Sequence, residues 1–259
     1  YADDLAEKYG VDAVRYYVLH EIPFANDGTL TYELMIERIN SDLANILGNL
    51  VNRTISMANK YFEGTVTNKK VTEEVDNDLI NQINDLDKNV EAKMNKLEIG
   101  AALDVIFDLL RRSNKYIDET TPWILAKEEN KDRLKKVIYN LLESIRIGAV
   151  LLYPFLPQTA EEIFRQLNTS ETSFESIDEF GKLKVGDTLD AEKSLDAKGA
   201  LSDMLIELID SVPVQTSVNT KVTNGFIENG AGLGNLVVKS QNKVIKDTDI
   251  YDGLVDFSL

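Results

Sequence analysis

The sequence has no cysteine and a single histidine, His20, among 259 residues. The lack of cysteine excludes disulfides, thiolate nucleophiles and zinc sites built on sulfur. One imidazole cannot form a multi-histidine metal site, and a histidine-based triad would have to use His20 itself. No apolar run approaches the roughly 20 residues of a membrane span, and the first residues do not resemble a signal peptide. These absences predict a cytoplasmic protein without a membrane segment or a metal centre.

Basic residues are few relative to acidic ones, 28 against 44, which gives a formal net charge of −16. Bulk electrostatics therefore cannot hold this chain to nucleic acid, and any such contact must be local. Acidic residues are spread evenly and no segment forms a basic arm, so the charge pattern alone points away from nucleic acid. The hydrophobic content of 43% is enough for a substantial core and argues against disorder throughout.

Apolar residues recur at helical spacing over most of the first 167 residues. Two short helices are predicted before His20, with a break at Gly10, and turn residues follow at 21–30. Later helices are predicted from Thr31 to Phe62, from Glu73 to Met94, from about Leu103 until Thr120, from about Asn130 to Leu152, and from Ala160 to Leu167. The pattern predicts a mainly α protein built as an antiparallel bundle of four or five helices.

Particular residues are expected to begin and end these helices. Thr31 and Thr72 are expected to act as N-caps of the helices that follow them. Pro122 is expected to stop the helix before it, which leaves Trp123 in an irregular break. Pro154 and Pro157 are expected to end the most hydrophobic helix.

The pattern changes after Asn168. A polar stretch is followed by a helix-like run at 194–210, and alternating apolar residues then lead to Asn224-Gly225, a hairpin signal, with a second turn at Asn229-Gly230. The tail is therefore predicted to be β-hairpin-like or irregular. The predicted divisions are residues 1–30, the bundle at 31–168, a polar connector and helix at 169–210, and a tail of unknown fold at 211–259.

Two groups of side chains could bind a nucleotide. Asn49 and Arg53 lie four positions apart, so a helix places an amide beside a guanidinium on one face, about 6 Å apart. Such a pair can read the edge of an unpaired base or stack on it. The only tryptophan, Trp123, could serve as a stacking platform. The structural alternatives are a solvated or capping pair and a tryptophan buried in the core.

Several motifs together carry a resemblance to a known family, in order along residues 1–167. They are Tyr9-Gly-Val-Asp-Ala-Val-Arg-Tyr-Tyr-Val-Leu19, Glu37-Arg-Ile-Asn-Ser-Asp-Leu-Ala-Asn45, Gly48-Asn-Leu-Val-Asn-Arg53, Asn59-Lys-Tyr-Phe62 and Asn114-Lys-Tyr-Ile-Asp-Glu-Thr-Thr-Pro-Trp-Ile-Leu-Ala-Lys127. With them the chain resembles methionyl-tRNA synthetase, a class I aminoacyl-tRNA synthetase. The segment from Phe180 to Gly186 matches more loosely.

The resemblance implies that residues 1–30 end a stem-contact region and that 31–168 form an anticodon-binding domain. It implies that Asn49, Arg53 and Trp123 contact the CAU anticodon of tRNA(Met), with the indole stacked on the first base. The family binds ATP and methionine in an upstream catalytic domain with His-Ile-Gly-His and Lys-Met-Ser-Lys-Ser motifs, and neither motif occurs in this chain. We therefore expect a piece of a longer ligase that holds no cofactor or catalytic residue of its own and is inactive alone.

Two other functions are compatible with the residues. The bundle could be a helical protein-interaction module that has lost RNA binding, or the equivalent domain of another class I synthetase. The resemblance ends near Ser194-Leu195-Asp196, so it implies nothing about the role of residues 196–259. The oligomeric state is left open.

Overall fold

The computed structural model describes residues 2–184, Gly186, Leu189 and four two-residue strands nearer the C-terminus. The chain divides into two compact units, Tyr1–Gly199 and Ala200–Leu259. The α-helices of the first unit are α1 (Ala2–Tyr9), α2 (Val11–Glu21), α3 (Tyr32–Arg38), α4 (Asn49–Phe62), α5 (Glu74–Ile83), α6 (Leu86–Met94), α7 (Ile99–Thr120), α8 (Pro122–Lys127), α9 (Lys131–Leu152) and α10 (Pro157–Gln166). A π-helix (Ile39–Gly48) joins α3 to α4, and a 3-10 helix spans Phe174–Ile177.

The two opening helices meet at Gly10, as predicted, where φ is 84° and a side chain would be strained. Helix α2 is hydrogen-bonded to the turn between α9 and α10. The Arg15 guanidinium donates to the carbonyl oxygens of Phe155 at 2.8 Å and Pro154 at 2.9 Å. The opening helices are thus hydrogen-bonded to the bundle.

The long helix predicted from Thr31 to Phe62 is present, but its middle is a π-helix. Thr31 is the N-cap, as predicted, and its hydroxyl accepts from the Leu34 backbone N–H at 3.2 Å. In the π-helical part the Asp42 carboxylate accepts a hydrogen bond from the Tyr16 hydroxyl at 2.9 Å. The π-helix was not predicted, and it ends immediately before the candidate residue Asn49.

The single helix predicted from Glu73 to Met94 is wrong, because a turn at Asn84 separates α5 from α6. The predicted cap at Thr72 is also wrong. Glu73 is the N-cap, and its backbone N–H donates to the Asp76 carboxylate at 3.0 Å. The apolar spacing continues across the turn because both helices pack against α7, so periodicity alone does not reveal the break.

Helices α7 and α9 form the antiparallel centre of the bundle, near the predicted positions. Tyr116 on α7 meets Asn140 on α9, whereas the earlier Leu110 meets the later Gly148. A Cβ at Gly148 would lie 3.1 Å from Leu110 Cδ2, so glycine permits the close approach of the two helices. Helix α9 is buried along nearly its whole length.

Two helices begin at prolines that were expected only to end helices. Pro122 starts α8, so Trp123 lies in the first turn of a short helix and not in an irregular loop. Pro157 starts α10, which was predicted from Ala160. The first helical position tolerates proline because its N–H has no intrahelical partner.

The segment after α10 is held on α9 by buried charge. The Glu143 carboxylate accepts backbone N–H bonds from Gly181 and Lys182 at 2.9 Å and from Leu183 at 3.1 Å. It also accepts two bonds from Arg146, each 2.8 Å long. We call this group the Glu143 clamp.

In the second unit, β1 (Val222–Thr223) pairs antiparallel with β2 (Phe226–Ile227), and β3 (Lys239–Ser240) pairs with β4 (Lys243–Val244). The first pairing leaves two residues between its strands, the connection length that Asn224-Gly225 predicts. The predicted helix at 194–210, the alternation at 212–221 and the turn at Asn229-Gly230 lie outside the described residues. None of the helices in the described part of the chain is long and apolar enough to cross a bilayer.

Candidate nucleic-acid interface

Asn49 and Arg53 lie on the face of helix α4 opposite to the face that packs in the core. The face in the core is anchored by Leu50, Val51, Thr54, Ile55 and Ala58, all of which are buried. Asn49 begins the α-helical part and Arg53 follows one turn later, so both side chains emerge from one face. Both residues are partly exposed. The two residues therefore share one face of α4, as their spacing predicts.

Among the residues that the structure describes, the charged partner of Arg53 is a weak one. Its Nη2 lies 3.6 Å from the Asp118 Oδ1, and the Asp118 side chain is 69% exposed. Exposed ion pairs of this length contribute about 0–1 kcal/mol. A ligand could therefore replace Asp118 as the partner of the Arg53 guanidinium at a small cost in free energy.

The Asn49 amide keeps unused hydrogen-bonding capacity. Its side-chain oxygen is buried and accepts no hydrogen bond from any residue that the structure describes. An amide can offer a donor or an acceptor by rotating. Because this oxygen is not accessible to solvent, a base edge would meet the amide nitrogen or require the amide to rotate.

Trp123 is exposed to solvent, with 39% of its surface accessible. The neighbouring Ile124 is 43% exposed, whereas Leu125 and Ala126 pack against the core. Within residues 2–184 no other aromatic ring packs on the indole. The alternative of a tryptophan buried in the core does not hold.

Thr121 connects α7 to α8 and so sets the position of Trp123 on the surface. It ends α7, with its N–H bonded to the Ile117 carbonyl, and its own carbonyl accepts from Ile124 N at 2.8 Å to begin α8. Its φ of 42° is rare for a β-branched residue. Asp118, the partner of Arg53, lies in the last turn of α7. The end of α7 thus contacts Arg53, and the chain leads directly from it to Trp123 in α8.

A buried ionic network locks the helix ends on either side of α8. Arg133, at the start of α9, donates to Asp76 at 2.6 and 2.9 Å, and the Tyr116 hydroxyl of α7 donates to the same carboxylate. Burial raises the pKa of Asp76, but hydrogen bonds from Arg133 and Tyr116 outweigh it and hold that pKa below its usual value. Burial and the bond to Asp76 raise the pKa of Tyr116.

Sequence reasoning missed both Asp118 and this network. Asp118 is 65 positions from Arg53, and nothing local indicates their contact. A possible signal for the network was Arg133, a charged residue within the apolar pattern of α9.

The side chain of His20, the only histidine, is 10% exposed. Its ring nitrogens lie 2.7 Å from Glu21 and 3.2 Å from Asp104, and its ring stacks on Tyr16. No cluster of three metal-ligating side chains occurs in the described part of the chain.

Two family profiles match the chain. The profile described as "Anticodon-binding domain of tRNA ligase" matches residues 76–223, and "tRNA synthetases class I (M)" matches residues 1–55. Together the two matched ranges include Asn49, Arg53 and Trp123.

Curated relatives are methionine–tRNA ligases. The Clostridium acetobutylicum protein is 51% identical over 183 residues, 70% of this chain and 28% of that protein. The Clostridium perfringens protein is 43% identical over 230 residues, 85% of this chain and 36% of that protein. The chain thus spans about a third of the length of these relatives.

Solved structures of Mycobacterium tuberculosis methionyl-tRNA synthetase share the fold. The apo form superposes with a TM-score of 0.69 at 34% identity, covering 73% of this chain and 39% of that one. The form bound by methionyl-adenylate also gives 0.69, at 35% identity, with 73% and 38% covered. The chain therefore belongs to the family of tRNA-ligase anticodon-binding domains, in its methionyl-tRNA synthetase branch.

Proposed function

We propose that the chain is the anticodon-recognition part of a methionine–tRNA ligase, and that Asn49, Arg53 and Trp123 bind the CAU anticodon of tRNA(Met). The observation that carries this proposal is the exposed indole of Trp123, which follows the helix end that contacts Arg53. An upstream catalytic domain that binds ATP and methionine is the expected covalent partner.

The three side chains suit unpaired bases. Bases of a loop can be splayed out, stacked on an aromatic ring and hydrogen-bonded along their edges. The indole supplies the stacking surface, the Arg53 guanidinium supplies a planar donor fork, and the Asn49 amide supplies a donor and an acceptor. Such recognition engages few phosphates, so it is compatible with a net charge of −16.

The test compares binding of an anticodon stem-loop carrying CAU with one in which the three bases are permuted. Arg53→Ala and Trp123→Ala should each weaken CAU binding by about 1–3 kcal/mol, because each removes a base contact. Isothermal titration calorimetry gives the affinities, and circular dichroism checks that the helices persist.

Two matched controls separate the site from general effects. Arg111→Ala removes another exposed arginine, which pairs with Asp108, and Phe174→Ala removes an exposed aromatic ring from the 3-10 helix. Both should leave CAU affinity within a factor of about 2. Equal affinity of the unmodified protein for CAU and permuted loops would refute the proposal.

A further inference from the structure

Most lysines and arginines in the described part of the chain pair with carboxylates. Four lysines near the start of α9 do not pair with any carboxylate among the described residues: Lys60, Lys70, Lys131 and Lys135. We call them the lysine strip. Three are exposed and Lys135 is partly exposed. Lys8, Lys96 and Lys127 also lack a carboxylate partner among the described residues, so what distinguishes the four lysines of the strip is that they come from segments that meet.

Two contacts bring the segments of the strip together. The Lys135 ammonium lies 5.4 Å from the centre of the Phe62 ring, which joins α9 to the end of α4. Lys69 pairs with Asp132 at 3.5 Å, which brings the loop that carries Lys70 to the first turn of α9. The end of α4, this loop and the start of α9 therefore meet.

The strip continues the candidate interface along α4. Lys60 follows Arg53 by seven residues, which is two helical turns, so the two side chains share a face about 10 Å apart. The strand of a stacked nucleic acid advances about 3.4 Å per nucleotide, so this distance spans about three nucleotides. Lys131 follows Trp123 by eight residues, and α8 packs on α9.

The chemistry of the strip favours phosphate. Lysine ammonium groups bind phosphate as point charges and do not select bases. Because the protein as a whole repels polyanions, RNA held at Arg53 needs local cations where its backbone crosses the surface. We propose that the lysine strip binds backbone phosphates of the anticodon stem-loop beside the bases read by Asn49, Arg53 and Trp123. The proposal rests on the proposed function.

The test is a triple variant, Lys60→Gln, Lys131→Gln and Lys135→Gln, of the 259-residue protein. Affinities for the CAU and the permuted stem-loop are measured over a series of KCl concentrations. Binding of both RNAs should weaken on the order of tenfold, and the slope of log K against log salt should become shallower by about 2–3, since each lost phosphate contact removes about one counterion. The ratio of CAU to permuted affinity should not change.

A second triple variant removes the same charge elsewhere: Lys88→Gln, Lys182→Gln and Lys184→Gln, whose lysines pair with carboxylates. It should leave the salt slope nearly unchanged. An equal change of slope in both triple variants, or none in the strip variant, overturns the proposal. Base preference reports on the proposed function and the salt slope on the strip, so the two can fail separately.

An acidic protein partner is the competing explanation. Polyglutamate is therefore tested as a second probe with the same variants. If the strip variant loses polyglutamate binding while RNA affinity and salt slope are retained, the strip binds an acidic protein and the proposal is wrong. Absence of RNA binding by the unmodified protein at low salt would also overturn it.

Discussion

The buried Asp76 carboxylate accepts hydrogen bonds from Arg133 and Tyr116, side chains on two other helices. Arg133 is only 2% exposed and Asp76 is fully buried, so neither charge is solvated if its partner is lost. Removal of one member of such a pair is more costly than the pair itself is stabilising. The position of Trp123 depends on this network, since α8 lies between the helix ends that the network joins.

Asp76→Asn should therefore reduce the free energy of unfolding by about 3–5 kcal/mol. The folded-state pKa of Asp76 is lowered, so its stabilisation is present above the unfolded pKa of about 3.9 and is lost as the pH falls through the lower folded value. The variant should accordingly show less acid-induced loss of stability in this range. Urea unfolding at several pH values measures both effects.

Asp132→Asn is the matched control for Asp76→Asn. Asp132 is 62% exposed and pairs with Lys69 at 3.5 Å, so its substitution should cost less than about 1 kcal/mol. Similar losses in the two variants would contradict the role given to the buried network.

At the scale of elements, the Glu143 clamp decides whether the segment after α10 stays on the bundle. This segment has little regular structure beyond the 3-10 helix, and its backbone is held by a carboxylate from α9. Arg146 reinforces it with bonds to the Ser176 hydroxyl at 2.7 Å and carbonyl at 3.0 Å. These bonds from α9 add to the hydrogen bonds that the segment makes within itself and to the backbone bonds of Gly186 and Leu189 with the loop after α4.

Glu143→Gln should release this segment, because the neutral amide cannot accept the same set of bonds and leaves Arg146 without its counter-charge. Hydrogen exchange of the Gly181, Lys182 and Leu183 amides should accelerate, with a loss of about 3 kcal/mol in stability. Glu179→Gln, at an exposed pair with Lys182, is the control and should change neither quantity. Unchanged exchange in Glu143→Gln would show that the clamp is not what orders the segment.

At the scale of the whole molecule, the chain matches the anticodon-binding profile and spans about a third of the length of its relatives. A His-Ile-Gly-His motif needs two histidines, and the sequence has one. The 259-residue protein should therefore give no ATP–pyrophosphate exchange with methionine. A full-length methionine–tRNA ligase serves as the positive control. Exchange above background by this chain would contradict the proposal that an upstream catalytic domain binds ATP and methionine.

Much of the bundle was predictable because its cues are local. Helices α7 and α9 were placed from apolar spacing, and Gly10 and Thr31 were identified from backbone and capping chemistry. The turn between α5 and α6 was not predicted, because the apolar spacing continues across it from one helix to the next. Pro122 was interpreted as a stop, although proline is also favoured at the first position of a helix.

The candidate site was only partly predictable. The shared face of Asn49 and Arg53 follows from their spacing, but the contact of Arg53 with Asp118 joins residues far apart in sequence. The π-helix before Asn49 could not be predicted, because the apolar spacing there does not differ from that of an α-helix. The lysine strip was not predicted because its members come from three separate segments that meet only in the folded chain.

Trp123 is the sole tryptophan, and its indole faces solvent on α8. The protein therefore carries an intrinsic optical reporter at the surface where RNA is expected to dock. Light absorbed selectively by tryptophan excites this one position and none of the ten tyrosines. A nucleobase that stacks on the indole would quench its emission, so docking can be followed in real time without attaching a dye.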